Sequence, residues 1–218
     1  MEVVLSAAIL GGTMNAKNRL LTALVALAVL AGACGDDAAD EGAFNDAADE
    51  GAIDDASPAT GPTWANHPAG AECMCADGSD YWIHSRDADP DKVVLYFQGG
   101  GACFTEAMCD FDDGDYKVTT GPDDHPGDDG SGIFDFDDPA NPFADWSMVY
   151  VPYCTGDVHI GDNVQEYAPD LAVNHVGFVN ASAATEHMVA AFPDATEVFV
   201  TGSSAGGVPS PMFGALVA

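Results

Sequence analysis

Basic residues are scarce in this chain. Lys and Arg together number five against 36 Asp and Glu in 218 residues, giving a formal net charge of −31. A field of that sign repels polyanions, so nucleic acid is excluded as a partner and so are bare anionic membrane surfaces. Long apolar runs are missing as well. The longest, Leu20 to Ala31, is far shorter than the roughly 20 residues that a membrane-spanning helix requires. Lysine is absent from where a P-loop would need it, behind either glycine cluster, and no G-x-G-x-x-G follows the first strong strand. Phosphate-cradle and dinucleotide chemistry are thereby excluded.

The chain opens with a targeting pattern. Lys17 and Arg19 precede the apolar run, and Gly32-Ala33-Cys34 follows it. Small residues directly before a cysteine resemble a bacterial lipoprotein signal. Residues 1–33 are therefore expected to be a signal peptide, with Met14 as an alternative start. Cys34 would be lipidated and would form the only membrane contact. The location implied is the bacterial cell envelope, or the exterior if Cys34 is a bystander. Residues 34–62 are mostly Asp, Ala, Gly and Glu. Such a stretch cannot bury enough apolar area to offset its ordering entropy, which predicts a disordered acidic tether. Residues 63–218 then form one folded domain, expected to be a monomer.

Five further cysteines lie in that domain: Cys73, Cys75, Cys103, Cys109 and Cys154. In an exported protein they should be mostly paired. Cys103 and Cys109 enclose a short loop and suggest a local staple, while Cys73 or Cys75 could reach Cys154. Zinc is disfavoured because Cys73-Met74-Cys75 has no second pair at a zinc-like spacing.

The apolar run Lys92 to Phe97 reads as a central strand covered on both faces, ended by Gly99-Gly100-Gly101. Tyr81–His84 is a shorter candidate, and Met148–Pro152 and Thr196–Thr201 are further central strands. Between Gly177 and Phe192, Phe178, Ala181, Ala184, Met188 and Ala191 recur at helical spacing, and Pro193 stops the run. Residues 110–145 are rich in Asp, Gly and Pro, with Phe134, Phe136 and Phe143 as sparse anchors. A loop of that length must be functional or pinned. The alternation predicts an α/β fold with a mostly parallel sheet, whose reactive groups gather at the carboxyl ends of the strands.

Gly202-Ser203-Ser204-Ala205-Gly206 matches G-x-S-x-G, directly after an apolar strand and before a candidate helix. A strand turning sharply into a helix strains the central residue, and its neighbours two before and two after must lack Cβ atoms. Ser204 is the candidate nucleophile. Gly99-Gly100-Gly101 looks like the glycine turn of esterases with Gln98 in place of His; its N–H groups, with that of Ala205, could converge on a developing oxyanion.

Three segments carry a more specific resemblance. Leu95 to Cys103, Val151 to His159 and Thr201 to Gly207, with Cys75 to Ser79 ahead of them, resemble in order the signatures of the pectin acetylesterase family, which also contains the animal Wnt deacylase. The resemblance implies an α/β-hydrolase-like fold and ester hydrolysis through an acyl-enzyme on Ser204. Gly100, Gly101 and Ala205 would form the oxyanion hole. Cys103–Cys109 and Cys75–Cys154 would be disulfides. No metal or organic cofactor is implied, and the substrate would be an acetylated polysaccharide or another ester. Ala102 departs from plant members, which have Trp there, and this weakens substrate inference. Asp157 and His159 are candidates for the pocket rim, against a plainer reading in which Asp157 caps a turn and His159 packs locally. No motif singles out His67, His84, His125, His175 or His187.

In this type of hydrolase the acid and then the base follow the serine. The 14 residues after Ser204 contain no Asp, Glu or His. The expectation is an inactive N-terminal part of a longer protein, truncated after the nucleophile elbow. The rival reading is a non-catalytic or cation-binding cell-surface module on a degenerate hydrolase fold. It is motivated by Asp110, Asp112, Asp113 and Asp115, although Gly114 is misplaced for a twelve-residue calcium loop. A lipase, feruloyl esterase or polyester depolymerase would share the same motifs.

Overall fold

The computed structural model describes residues 10–11, 62–127 and 130–218. Cys34, the tether up to residue 61 and the targeting segment apart from Leu10 and Gly11 lie outside the described residues.

Among the described residues eight strands are present: β1 (Leu10–Gly11), β2 (Trp64–Pro68), β3 (Trp82–Arg86), β4 (Asp89–Phe97), β5 (Trp146–Val151), β6 (Asn163–Ala168), β7 (Leu171–His175) and β8 (Glu197–Gly202). Three α-helices accompany them among the described residues: α1 (Glu106–Cys109), α2 (Gly177–Ala191) and α3 (Ser210–Val217). Six strands form one sheet in the order β1-β8-β4-β5-β3-β2, and β6 with β7 makes a separate hairpin. The order brings β4 between β8 and β5, parallel to both. The central strands expected from the sequence are therefore neighbours.

The sheet is mixed, and the expectation of a mostly parallel one is corrected. β1, β3 and β2 all pair antiparallel. Only Asp87 and Ala88 separate β3 from β4, and a parallel return needs a crossover of about a dozen residues or more. With so short a link β3 must run opposite to β4, and its partner β2 reverses again.

Alternate residues of the central strands face two different cores. Val93, Leu95, Phe97, Val149 and Val151 pack with Ala181, Ala184 and Met188 of α2 and with Phe213 of α3. Val94, Met148, Trp146 and Phe199 face the other way, where Phe134, Phe136 and Phe143 cover them. The irregular excursion between β4 and β5 thus roofs one face of the sheet where a helix would otherwise lie. Phe143 stacks on Phe199 at 4.8 Å and Phe134 meets Tyr96 edge-on at 4.7 Å. Its three phenylalanines are the pins that its length demanded.

Both expected disulfides are present. Cys75–Cys154 ties the loop after β2 to the end of β5 across 79 residues, and Cys103–Cys109 closes a loop of 6. Cys73 is a free, buried thiol. On the outer edge of β8, Leu10 and Gly11 pair with Val198 and Glu197; Phe199 to Gly202 have no strand partner on that side among the described residues.

Candidate active site

The carboxyl ends of β4, β5 and β8 lie side by side, with Phe97 opposite both Val151 and Gly202. Each strand ends in a segment singled out by the sequence. Ser204 follows β8 and opens a 3-10 turn, Ser204–Gly207, that leads into α3. Its φ is +49°, a left-handed conformation that costs a non-glycine L-residue roughly 1–2 kcal/mol. The side chain is exposed while Ala205, Gly206 and Gly207 behind it are buried. A Cβ on Gly202 would strike the carbonyl of Gly206, and one on Gly206 would strike the carbonyl of Phe97. The two outer glycines of the motif are thus required by crowding between the turn and the tip of β4.

The glycine run sits against the same turn. A Cβ on Gly99 would lie 2.7 Å from the Ser203 carbonyl oxygen and 3.0 Å from Ser204 Cβ. The Gly99 N–H donates to Ser203 Oγ at 3.2 Å, and the Gly100 carbonyl accepts from the Lys117 N–H at 2.8 Å. The N–H groups of Gly100, Gly101 and Ala205 have no hydrogen-bond acceptor among the described residues. Cys103, just beyond the run, donates its N–H to the Gly156 carbonyl at 2.8 Å and is fixed by its disulfide.

The segment after β5 is strained too: Val158 and His159 have φ of +53° and +62°, exceptional for a β-branched residue. Asp157 holds this turn. Its carboxylate accepts from Thr155 Oγ1 at 2.6 Å, from the N–H groups of His159 and Gly161 at 3.1 Å, and from the Gly177 N–H at 2.7 Å. The last contact caps the start of α2, where a negative charge is favoured. Burial pushes the Asp157 carboxyl above its ordinary value, against the downward pull of these donors. His159 is buried, donates Nε2–H to the Gln98 carbonyl at 2.8 Å, and is held neutral with its pKa lowered by burial to about 4. Asp157 and His159 therefore have defined structural work: one caps a turn and a helix, the other secures the residue ahead of the glycine run.

None of the six histidines is hydrogen-bonded to Ser204 among the described residues. His175 donates Nδ1–H to the Thr155 carbonyl at 2.7 Å and accepts from the Tyr167 hydroxyl at 2.9 Å. His67 pairs with Ser85, His84 with Asn66, and His125 with the Gly127 N–H. His187 lies against the His67 ring at 4.3 Å. Cys103, Cys109 and His175 bring ligand atoms within 4.8 Å of one another, but both sulfurs are committed to the disulfide. The acidic run does not converge: the Asp110 carboxylate accepts from its own neighbours, the N–H groups of Asp112 and Asp113, at 2.9 Å. Among the described residues no three carboxylates of that run come together.

Sequence reasoning missed the importance of Gln98 and Lys117. The only available signal was the substitution of Gln for His ahead of the glycine run, together with the scarcity of cations.

A mixed α/β sheet with a strained serine turn beside a glycine run, at the carboxyl ends of its parallel strands, defines a hydrolase-like class. The pectinacetylesterase family model matches residues 57–213, well over half of the chain, which therefore belongs to the pectinacetylesterase family. Membership points to esterase, deacetylating activity. A search among curated proteins finds no match to the chain.

Proposed function

We propose that the protein is a serine carboxylester hydrolase that removes O-acetyl groups from a polysaccharide. The observation that carries this reading is Ser204, exposed at φ +49° beside a glycine run with unengaged N–H groups. Ser204 Oγ attacks the acetyl carbonyl carbon while its proton passes to a general base. The carbonyl oxygen becomes an oxyanion, held by the N–H groups of Gly100, Gly101 and Ala205. The bond to the sugar oxygen then breaks, the sugar leaves with that proton, and the acetyl group stays on Ser204. Water, deprotonated by the same base, attacks the acyl-enzyme and releases acetate and Ser204. Among the described residues no histidine is hydrogen-bonded to Ser204, and this reading assigns the base to none of them. Export and anchoring through a lipid on Cys34 would place the enzyme at the cell surface, where such polysaccharides are met.

The test is covalent trapping. The full-length protein is treated with an organophosphonate ester, digested and mapped; the label is expected on Ser204 and lost in S204A. A label elsewhere, or none in a preparation that hydrolyses esters, overturns the assignment. Acetate release is then compared among acetylated xylan, acetylated pectin and a small acetyl ester. Preference for long acyl chains over acetyl would defeat the substrate reading. Pectin should be handicapped at low salt, because a polyuronate meets a like-charged protein.

A further inference from the structure

The glycine run poses a mechanical problem. An oxyanion hole made of backbone N–H groups is effective only if the groups are held in place before charge develops. Three consecutive glycines have no side chains to hold them, and glycine is the residue with most conformational freedom to lose. Something outside the run must fix it.

Gln98 directly precedes the run, and nearly every polar atom it has is engaged. Its N–H donates to the Val151 carbonyl at 2.9 Å, and its carbonyl accepts from His159 Nε2 at 2.8 Å. Its side-chain Oε1 accepts from the Tyr153 N–H at 2.9 Å and from Lys117 Nζ at 3.1 Å, and its Nε2 donates to Asp124 Oδ1 at 3.5 Å. Lys117 and Asp124 are themselves ion-paired. Both belong to the excursion, and the Lys117 backbone N–H also holds the Gly100 carbonyl. One residue of the excursion thus grips the strand end through its ammonium and the glycine run through its backbone.

The charge distribution sharpens the point. The chain has five basic residues, of which Arg86, Lys92 and Lys117 are described. Arg86 hydrogen-bonds the Trp146 carbonyl and Lys92 pairs with Asp89 and Asp145, all at the opposite, amino end of the parallel strands. Lys117 is the one cation among the described residues at the carboxyl end. A basic residue spent there on a glutamine and an aspartate is a positioning element in a chain that has almost none to spare.

We propose that Gln98, gripped by Lys117 and Asp124, is the positioning residue that sets the Gly99–Gly101 run in its oxyanion-binding conformation. The proposal rests on the hydrolase reading of the same site. It gives the excursion a second role: besides roofing the sheet, it locks the catalytic loop from the side. Gln98 stands where the HGGG-type turn of lipases and esterases carries histidine, and its amide does what a ring could not, accepting two hydrogen bonds while donating a third.

Because the ammonium is held on Gln98 and Asp124 and acts through Gln98, its loss should appear in kcat. In the full-length protein K117M is expected to lower kcat on a small acetyl ester about 10- to 100-fold, the scale of a small misplacement of catalytic groups. KM should stay within about twofold, the signature of an interaction that matters in the transition state. K117R, which keeps charge and donors, should recover most of the rate. D124N leaves Lys117 on Gln98 and should cost less than K117M. A second pair guards against a K117M that does not fold: the carboxylate of Q98E can still accept from Tyr153 and Lys117, whereas Q98M cannot, so kcat should be higher in Q98E by about tenfold or more. Wild-type kcat in K117M, an equal loss in K117R, or equal rates in Q98E and Q98M would each overturn the proposal. Failure of wild-type Ser204 to take the phosphonate label would instead overturn the hydrolase reading, so the two failures are distinguishable.

Discussion

Ser204 and His159 show how the fold fixes single residues, one in a left-handed backbone conformation and one in its neutral form to lower pH than usual. His159 is buried with its Nε2–H on the Gln98 carbonyl and a pKa near 4; His84, also buried, donates from Nδ1 to Asn66 and has its pKa lowered by burial to about 4, with Nε2 unpartnered. In the unfolded chain both would titrate near 6.5. Between about pH 6.5 and 4 the unfolded state therefore binds more protons than the native one, and stability rises with pH across that window. The contribution is fully present above about pH 6.5 and is lost as acid drives both rings to charge. Asp157, whose carboxyl is raised, acts with the opposite sign at the acid end of the window. H159Q keeps a donor at a reach similar to Nε2 while removing the titration. Denaturant unfolding at several pH values should give a shallower slope for H159Q than for wild type between pH 4 and 6.5; an unchanged slope would show that His159 is not held neutral.

At the scale of elements, the Cys75–Cys154 disulfide joins the β2–β3 loop to the end of β5, next to the turn that carries Asp157 and His159. Closing so long a loop should stabilise the fold by about 4 kcal/mol in the chain-entropy account. The double variant C75A/C154A should melt correspondingly lower, with Cys103–Cys109 still intact by mass; a loss below about 1 kcal/mol would mean that the two elements stay together without it. The same elements show what the sequence made legible. β4, β5, β8 and α2 were predicted within a few residues, because continuous apolar runs and a three-four spacing are strong signals. Ala191 proved exposed and Asn180 buried, where it bonds the Met74 backbone. β2, Trp-Ala-Asn-His-Pro, was missed because an edge strand has one paired side and tolerates polar residues and proline. The β6–β7 hairpin was missed because Asn163 to Glu166 are exposed and carry no alternation worth reading. The serine turn and glycine run were legible from their glycines alone. Gln98, Lys117 and Asp124 were not, since residues up to 26 positions apart announce no partnership until the excursion folds back over the sheet.

For the whole molecule, 36 acidic side chains against five basic ones create self-repulsion that salt should relieve. Raising ionic strength from about 0.01 to 1 M shortens the screening length from about 30 to 3 Å. The melting temperature is expected to climb across that range, and a flat or falling curve would show that the charges are already neutralised locally. The sheet order carries a further consequence, one of timing. β4 lies between β5 and β8, so its two partners are made long after it, and the contact of Gly99 with Ser203 spans 104 positions. Such distant pairings are slow to form, because chain closure must precede any gain from the contact. During synthesis the Cys103–Cys109 loop can close early, but the glycine run must wait for the serine turn made long after it. Under the proposed hydrolase reading, the juxtaposed glycine run and serine turn come into being only once β8 has joined β4.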